Sequence, residues 1–156
     1  MDNPTYPPLD IVPYWSRLNE GLIKLVDYIP DDKLNWSPKP DLWNFKGIFL
    51  HVSMSRHSWM VNAVRDGEDT PDVLRDGQTK EGIKDQLRLS WQRLLGFLSD
   101  PTKLSAEYSG AWEDERWPRS GHWIAFHLLE HDVHHRADIF HYLALLGIEH
   151  PEVGTP

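Results

Sequence analysis

The sequence predicts an all-α four-helix bundle with long connections, on three observations. Four segments repeat apolar residues at helical spacing, each behind a good N-cap residue. The stretches between them are polar and hold half of the prolines. No apolar–polar alternation runs long enough to make a strand. Amphipathic helices of this length, joined by two long connections, pack as a bundle, and bundles build metal sites in the core from facing helices.

The first helix starts behind Asp10, with Pro13 in the first turn, where proline is tolerated. Leu18, Leu22, Leu25 and Val26 recur at helical spacing, and Pro30 stops the segment. Residues 31–43 form a loop that Trp36 and Trp43 seal onto the bundle. The second helix runs from Asn44, its cap, to about Arg65, with Ile48, Val52, Met54, Trp59 and Val61 on one broad side. Asp66-Gly67 ends it, and residues 67–79 make a second loop. Thr79 caps a third helix over about 80–99, with the stripe Ile83, Leu87, Trp91, Leu94, Leu95 and Leu98. Asp100-Pro101 stops it, and residues 100–119 read as a long connection. Ser120 caps the fourth helix, which reaches about Leu146 before Gly147.

That last helix holds most of the chemistry. His127, His131 and His135 stand four residues apart, one helical turn each. Ile124, Leu128, Tyr142 and Leu146 fall within roughly a 60° arc beside His131. The histidines therefore point toward a core, where a polar group needs a partner or a ligand. Phe126, Leu129, Val133, Phe140 and Ala144 lie nearly opposite, where a simple bundle helix shows polar residues. Either another part of the chain covers this second apolar stripe or a second subunit does, and a homodimer is the expectation.

Two imidazoles at i and i+4 can share one metal ion at about 2.0–2.1 Å from each nitrogen. A third ligand must come from another helix, and His51, amid the apolar second helix, is the best donor. Three histidines and an open position form a catalytic rather than a structural pattern. Both His127/His131 and His131/His135 fit the helical geometry. Asp138 could accept a hydrogen bond from a ligand's far nitrogen or bind the metal itself. His134 and His127 are further candidates for supporting contacts. Trp43, Trp112, Trp117 and Tyr142 are candidate pocket residues. The tryptophans at 15, 59, 91 and 123 are assigned to packing, His57 and His150 to the surface, and His141 to an exposed helix flank.

Composition narrows the function. At 156 residues a single domain over 1–156 is expected. The net charge of −8 argues against nucleic acid or an anionic membrane as partner. With no cysteine, a metal must be held by histidine and carboxylate, and a thiol used in chemistry must come from outside. Imidazole ligands suit zinc, nickel, copper or iron, and zinc or nickel is the expected ion. The first residues have neither the basic start nor the apolar stretch of a signal peptide, and no membrane span is expected. A cytoplasmic protein acting on a small molecule is the expectation.

The string Asp41-Leu-Trp-Asn-Phe-Lys-Gly-Ile-Phe-Leu-His51, followed far along by His131-Asp-Val-His-His135-Arg and a Leu-Leu-Gly-Ile148 ending, resembles the DinB-like (YfiT-like, damage-inducible) superfamily of metal-binding four-helix bundles. The resemblance spans nearly the whole chain. It implies that the metal triad is His51, His131 and His135. The Gly-Gln that often follows the His-His-Arg string is Ala137-Asp138 here, which keeps a fourth protein ligand open. Characterised relatives include enzymes in which the metal activates a low-molecular-weight thiol such as bacillithiol, mycothiol or glutathione. The resemblance thus implies thiol S-transfer to small electrophiles. Metal-dependent hydrolysis and a non-catalytic, stress-related dimeric bundle are the alternatives.

Overall fold

The computed structural model describes residues 10–72, 79–114 and 118–150. Four long helices form the body: α1 (Ile11–Tyr28), α2 (Phe45–Trp59), α3 (Lys80–Leu98) and α5 (Gly121–Leu145). A short α4 (Pro101–Ser105) precedes α5. The ring of neighbours runs α1–α3–α2–α5 and back to α1. Hence α2 and α5, distant in sequence, lie side by side.

Each long helix starts where its cap residue predicts. Asp10 accepts from the Val12 amide, Asn44 from Gly47, Thr79 from Gly82 and Ser120 from Trp123. These bonds satisfy amides that have no partner inside the helix. At the far end of α1, Ile29 is extended at φ −84° and ψ 122°, as a residue before proline prefers. At the end of α5, Gly147 takes φ 69°. Its N–H bonds the Ala144 carbonyl, and the Ile148 N–H bonds the Leu143 carbonyl, a Schellman closure.

The core joins all four long helices through residues such as Trp15 and Leu22, Phe49 and Val52, Leu87 and Leu94, and Leu128 and Leu143, each buried. Removing these side chains from water is the main drive for assembly. Trp36 packs edge-on against Tyr142, centroids 5.7 Å apart, and so closes the first loop onto α5. No described helix is long and apolar enough to cross a membrane.

The structure corrects several expectations. The second helix does not run as uniform α-helix to Arg65. Its last turn, Met60–Val64, is a π-helix, and Arg65 is left-handed at φ 56° and ψ 54°. The stretch 100–119 is not wholly irregular. It holds α4, a 3₁₀ turn at Ala111–Glu113, and β1 (Glu107–Tyr108), which pairs antiparallel with β2 (Arg119–Ser120). Two-residue strands are too short to leave an alternation in sequence.

His57 is not a surface residue. It is 1 % exposed, because it lies on the side of α2 that faces α3, where Arg93 Nη1 donates to its Nδ1 at 3.2 Å. His150 is half-buried, stacked on Phe140 at 4.5 Å. Trp123 is exposed rather than core, while Trp15 and Trp91 pack inside as expected. On the outer face of α5, Phe126 is 68 % exposed, and Leu129, Val133 and Phe140 are half-buried.

Candidate metal centre

His51 sits mid-way along α2, and His131 and His135 sit one turn apart on α5. Because α2 and α5 are neighbours, the three imidazoles converge. His51 Nε2 and His131 Nε2 are 2.8 Å apart. Ring centroids lie 4.7 Å (His51–His131), 4.8 Å (His51–His135) and 4.5 Å (His131–His135) from one another. One nitrogen from each residue lies within 4.8 Å of the others, a grouping that could hold a metal ion. Two nitrogens on one tetrahedral ion stand about 3.3 Å apart, so the first two rings must part by about half an ångström to admit one. Ser55 was not singled out from sequence. Its Oγ lies 3.4 Å from His51 Nε2 and 3.3 Å from His131 Nε2, because it follows His51 by one turn.

The electrostatics favour neutral rings. Burial, and then the nearby His131 and His135, push His51 down to about 4, with Asp132 opposing. Burial and His131 also lower His135, against the bond to Asp138. Uncharged imidazoles keep a lone pair for a metal at neutral pH.

Asp138 takes the role of hydrogen-bond acceptor. Its Oδ2 lies 3.0 Å from His135 Nδ1, which leaves His135 Nε2 on the far side of the ring. His134 Nε2 is 3.7 Å from the same oxygen, and His134, His135 and Asp138 form a second, more open ligand group. His127 does not join the triad. It stacks on Trp123 at 5.1 Å and packs on Trp59 at 4.9 Å. Burial, followed by His131, lowers its pKa.

Beneath the triad lies a charged pair that sequence reading passed over. Asp132 and Arg56 are fully buried. Asp132 Oδ2 accepts from Arg56 Nη2 (2.7 Å), Arg56 Nε (3.0 Å) and Trp15 Nε1 (2.7 Å). Arg56 Nη1 also donates to Asn19 Oδ1 at 2.7 Å and Ser90 Oγ at 3.3 Å. Burial alone would raise the carboxyl's pKa; the Arg56 charge and the surrounding hydrogen bonds outweigh it and hold Asp132 below the usual range. The available signal was an Arg in the apolar second helix and an Asp next to His131.

Two clefts flank the triad and share Leu42 and Trp43. One, about 430 Å³, is lined by His51, Leu50, Met54 and Gly47 among others. The second, about 390 Å³, is lined by His135, His134, Asp138 and Tyr142 among others. Trp43 lies over the site, its ring centroid 4.0 Å from that of His51 and 6.1 Å from that of His135. Trp43 is among the residues lining both clefts, and Tyr142 lines the second. Trp112 does not; it packs edge-on against Trp59 at 4.8 Å. Trp117 lies outside the described residues.

No curated protein matches the chain. Among solved structures, a DinB-like protein from Bacillus cereus superposes with a TM-score of 0.68 at 16 % identity, over 92 % of this chain and 95 % of that one. That likeness shows the fold, a bundle of the same kind. The model of the DinB family matches residues 1–156. With the whole length matched, the chain belongs to the DinB family.

Proposed function

We propose that the protein is a divalent-metal-dependent enzyme that uses a low-molecular-weight thiol on small electrophiles. The observation that carries this reading is the convergence of His51, His131 and His135 from two helices beside open clefts. Imidazole ligands suit zinc, nickel, copper or iron, and zinc and nickel are the ions to test first. A bound ion supplies Lewis acidity, lowering the pKa of a thiol or water at an open position. The protein's own part is to hold and shape. The three imidazoles would donate lone pairs, Asp138 takes the His135 Nδ1–H, and Leu42 and Trp43 wall the approach. With Asp138 engaged by His135, an ion held by the triad would have three protein ligands, which favours a catalytic over a purely structural role.

Among the described residues, the cleft linings include Asp41 and Asp138 and no lysine or arginine. That lining suits a thiol of low net negative charge. It also keeps hydrolysis, with water in place of thiol, as the second reading. A non-catalytic dimeric bundle is the third, favoured if Asp138 turns to the metal as a fourth ligand. We further propose that the outer face of α5, with Phe126 exposed and Leu129, Val133 and Phe140 half-buried, pairs two copies of the chain. Light scattering showing a monomer at micromolar concentration would remove that part.

The deciding experiment is elemental analysis of untagged protein beside His131→Ala, followed by turnover assays of zinc- and nickel-loaded protein with thiols and electrophiles. About one metal per chain, lost in the variant, with thiol consumed only by loaded protein, supports the reading. Metal without thiol turnover, but with ester or amide cleavage, moves the assignment to hydrolysis. No metal in either protein overturns the metal reading.

A further inference from the structure

Building on the metal-site reading, we propose that Asp132 is a positioning residue: its Oδ1 takes the Nδ1–H of His131 and leaves His131 Nε2 bare toward the site. Two buried polar atoms in this region lack any partner, His131 Nδ1 and Asp132 Oδ1. They face each other at 3.6 Å. Buried orphans of this kind are rare and costly, and here an unpartnered ring nitrogen stands beside an unpartnered carboxylate oxygen. A carboxylate can only accept, so the proton between them belongs to Nδ1. The opposite tautomer would set the Nδ1 lone pair against a carboxylate lone pair, both on buried atoms.

The separation exceeds a good hydrogen bond. Bonds that orient a functional imidazole are often long in the unliganded protein and tighten when the ring is engaged. The other oxygen of Asp132 cannot follow the ring, because Oδ2 is held by Arg56 and Trp15. Arg56 is itself fixed by Asn19 on α1 and Ser90 on α3. The orientation of His131 therefore draws on all four long helices. His135 shows a similar arrangement closer and nearer the surface, with Asp138, 36 % exposed, 3.0 Å from its Nδ1. With His131 Nδ1 protonated, its Nε2 accepts, and the 2.8 Å contact is an N–H···N bond donated by His51. The two assignments form one consistent proton arrangement.

The test is long-range proton–nitrogen NMR of the histidine rings in the metal-free full chain at neutral pH. The expected result is His131 protonated on Nδ1 with a bare Nε2, and His51 protonated on Nε2. A proton on His131 Nε2 overturns the proposal. The second measurement uses Arg56→Met/Asp132→Leu, which removes both charges together and so leaves no unpaired ion in the core. Zinc affinity, read by chelator competition, should fall about 10- to 100-fold, with the His131 tautomer shifted. A folded double variant that keeps the parent's tautomer and zinc affinity overturns the proposal. If the double variant fails to fold, the parent's spectrum decides. If the parent binds neither zinc nor nickel, the metal reading falls and the tautomer of His131 still decides this inference.

Discussion

Arg56 and Asp132 meet as a wholly buried ion pair, 2.7 Å between Nη2 and Oδ2, which locks α2 to α5 directly under the triad. Moving two such charges out of water costs several kcal/mol each, and only close geometry with further hydrogen bonds offsets it. Here Trp15, Asn19 and Ser90 supply those bonds.

Breaking this pair from one side strands a charge. Arg56→Ala should lower the unfolding free energy by about 3–5 kcal/mol, read as a shifted urea midpoint at unchanged slope. The matched Arg56→Met/Asp132→Leu change should cost much less. Equal losses in both would mean that the lost packing volume, not the stranded charge, sets the cost.

A second vulnerability lies where α5 leaves the short helix α4. A Cβ on Gly121 would stand 2.2 Å from the Lys103 carbonyl oxygen and 2.7 Å from Leu104 Cα. These are backbone atoms and cannot swing aside. Gly121→Ala should therefore destabilise by about 1–3 kcal/mol, by forcing α4 and α5 apart. A thermal midpoint equal to the parent's would show that the junction yields freely.

The metal-free protein should weaken in mild acid. Burial, then the charges of Arg93 and Arg56, push His57 down to about 4, and His51 is also pushed to about 4. In the unfolded chain both return to 6.5. Between those values the unfolded state binds more protons, so protons favour unfolding. This share of stability is whole above about pH 6.5 and is lost as pH falls toward 4. Melting temperatures across that window should decline, and His57→Asn should flatten the decline. A midpoint that holds steady or rises on acidification would contradict the burial of His57 as a neutral ring.

Trp43 should report on the site. Its ring stands 4.0 Å from that of His51, so a paramagnetic ion such as nickel at the triad would quench it. Adding nickel should dim the tryptophan emission, and Trp43→Phe should remove most of that response although seven of the eight tryptophans remain. His135→Ala should abolish the response by abolishing binding, with the helical circular dichroism retained. Undiminished quenching in both variants would place the ion elsewhere.

Much of this was legible in the chain because the signals are local. A cap acts within three residues, so Asp10, Asn44, Thr79 and Ser120 marked the helix starts correctly. The turn spacing of His131 and His135 is equally local. Helical geometry alone left His127 as a rival, and only the position of α2 separates them, since His127 faces Trp59 while His135 faces His51. Arg56 and Asp132 stayed hidden because charged residues are almost never fully buried unless paired, and their partners are 76 residues apart. His57 was missed for the same reason, its partner Arg93 lying on another helix. The π turn at Met60–Val64 is a shift in backbone hydrogen bonding that side-chain periodicity does not encode.

The three histidines do not come from equivalent places. Two are one turn apart on α5, and the third arrives from 80 residues away on α2. An ion could thus be gripped by the α5 pair as soon as that single turn is wound, before the bundle exists. Its bond to His51 would close only when α2 docks, drawing a long loop of chain shut like a clasp. Such an ion would help set the order of folding as well as the final energy. Its escape from the finished protein would be timed by how often α2 lifts from α5.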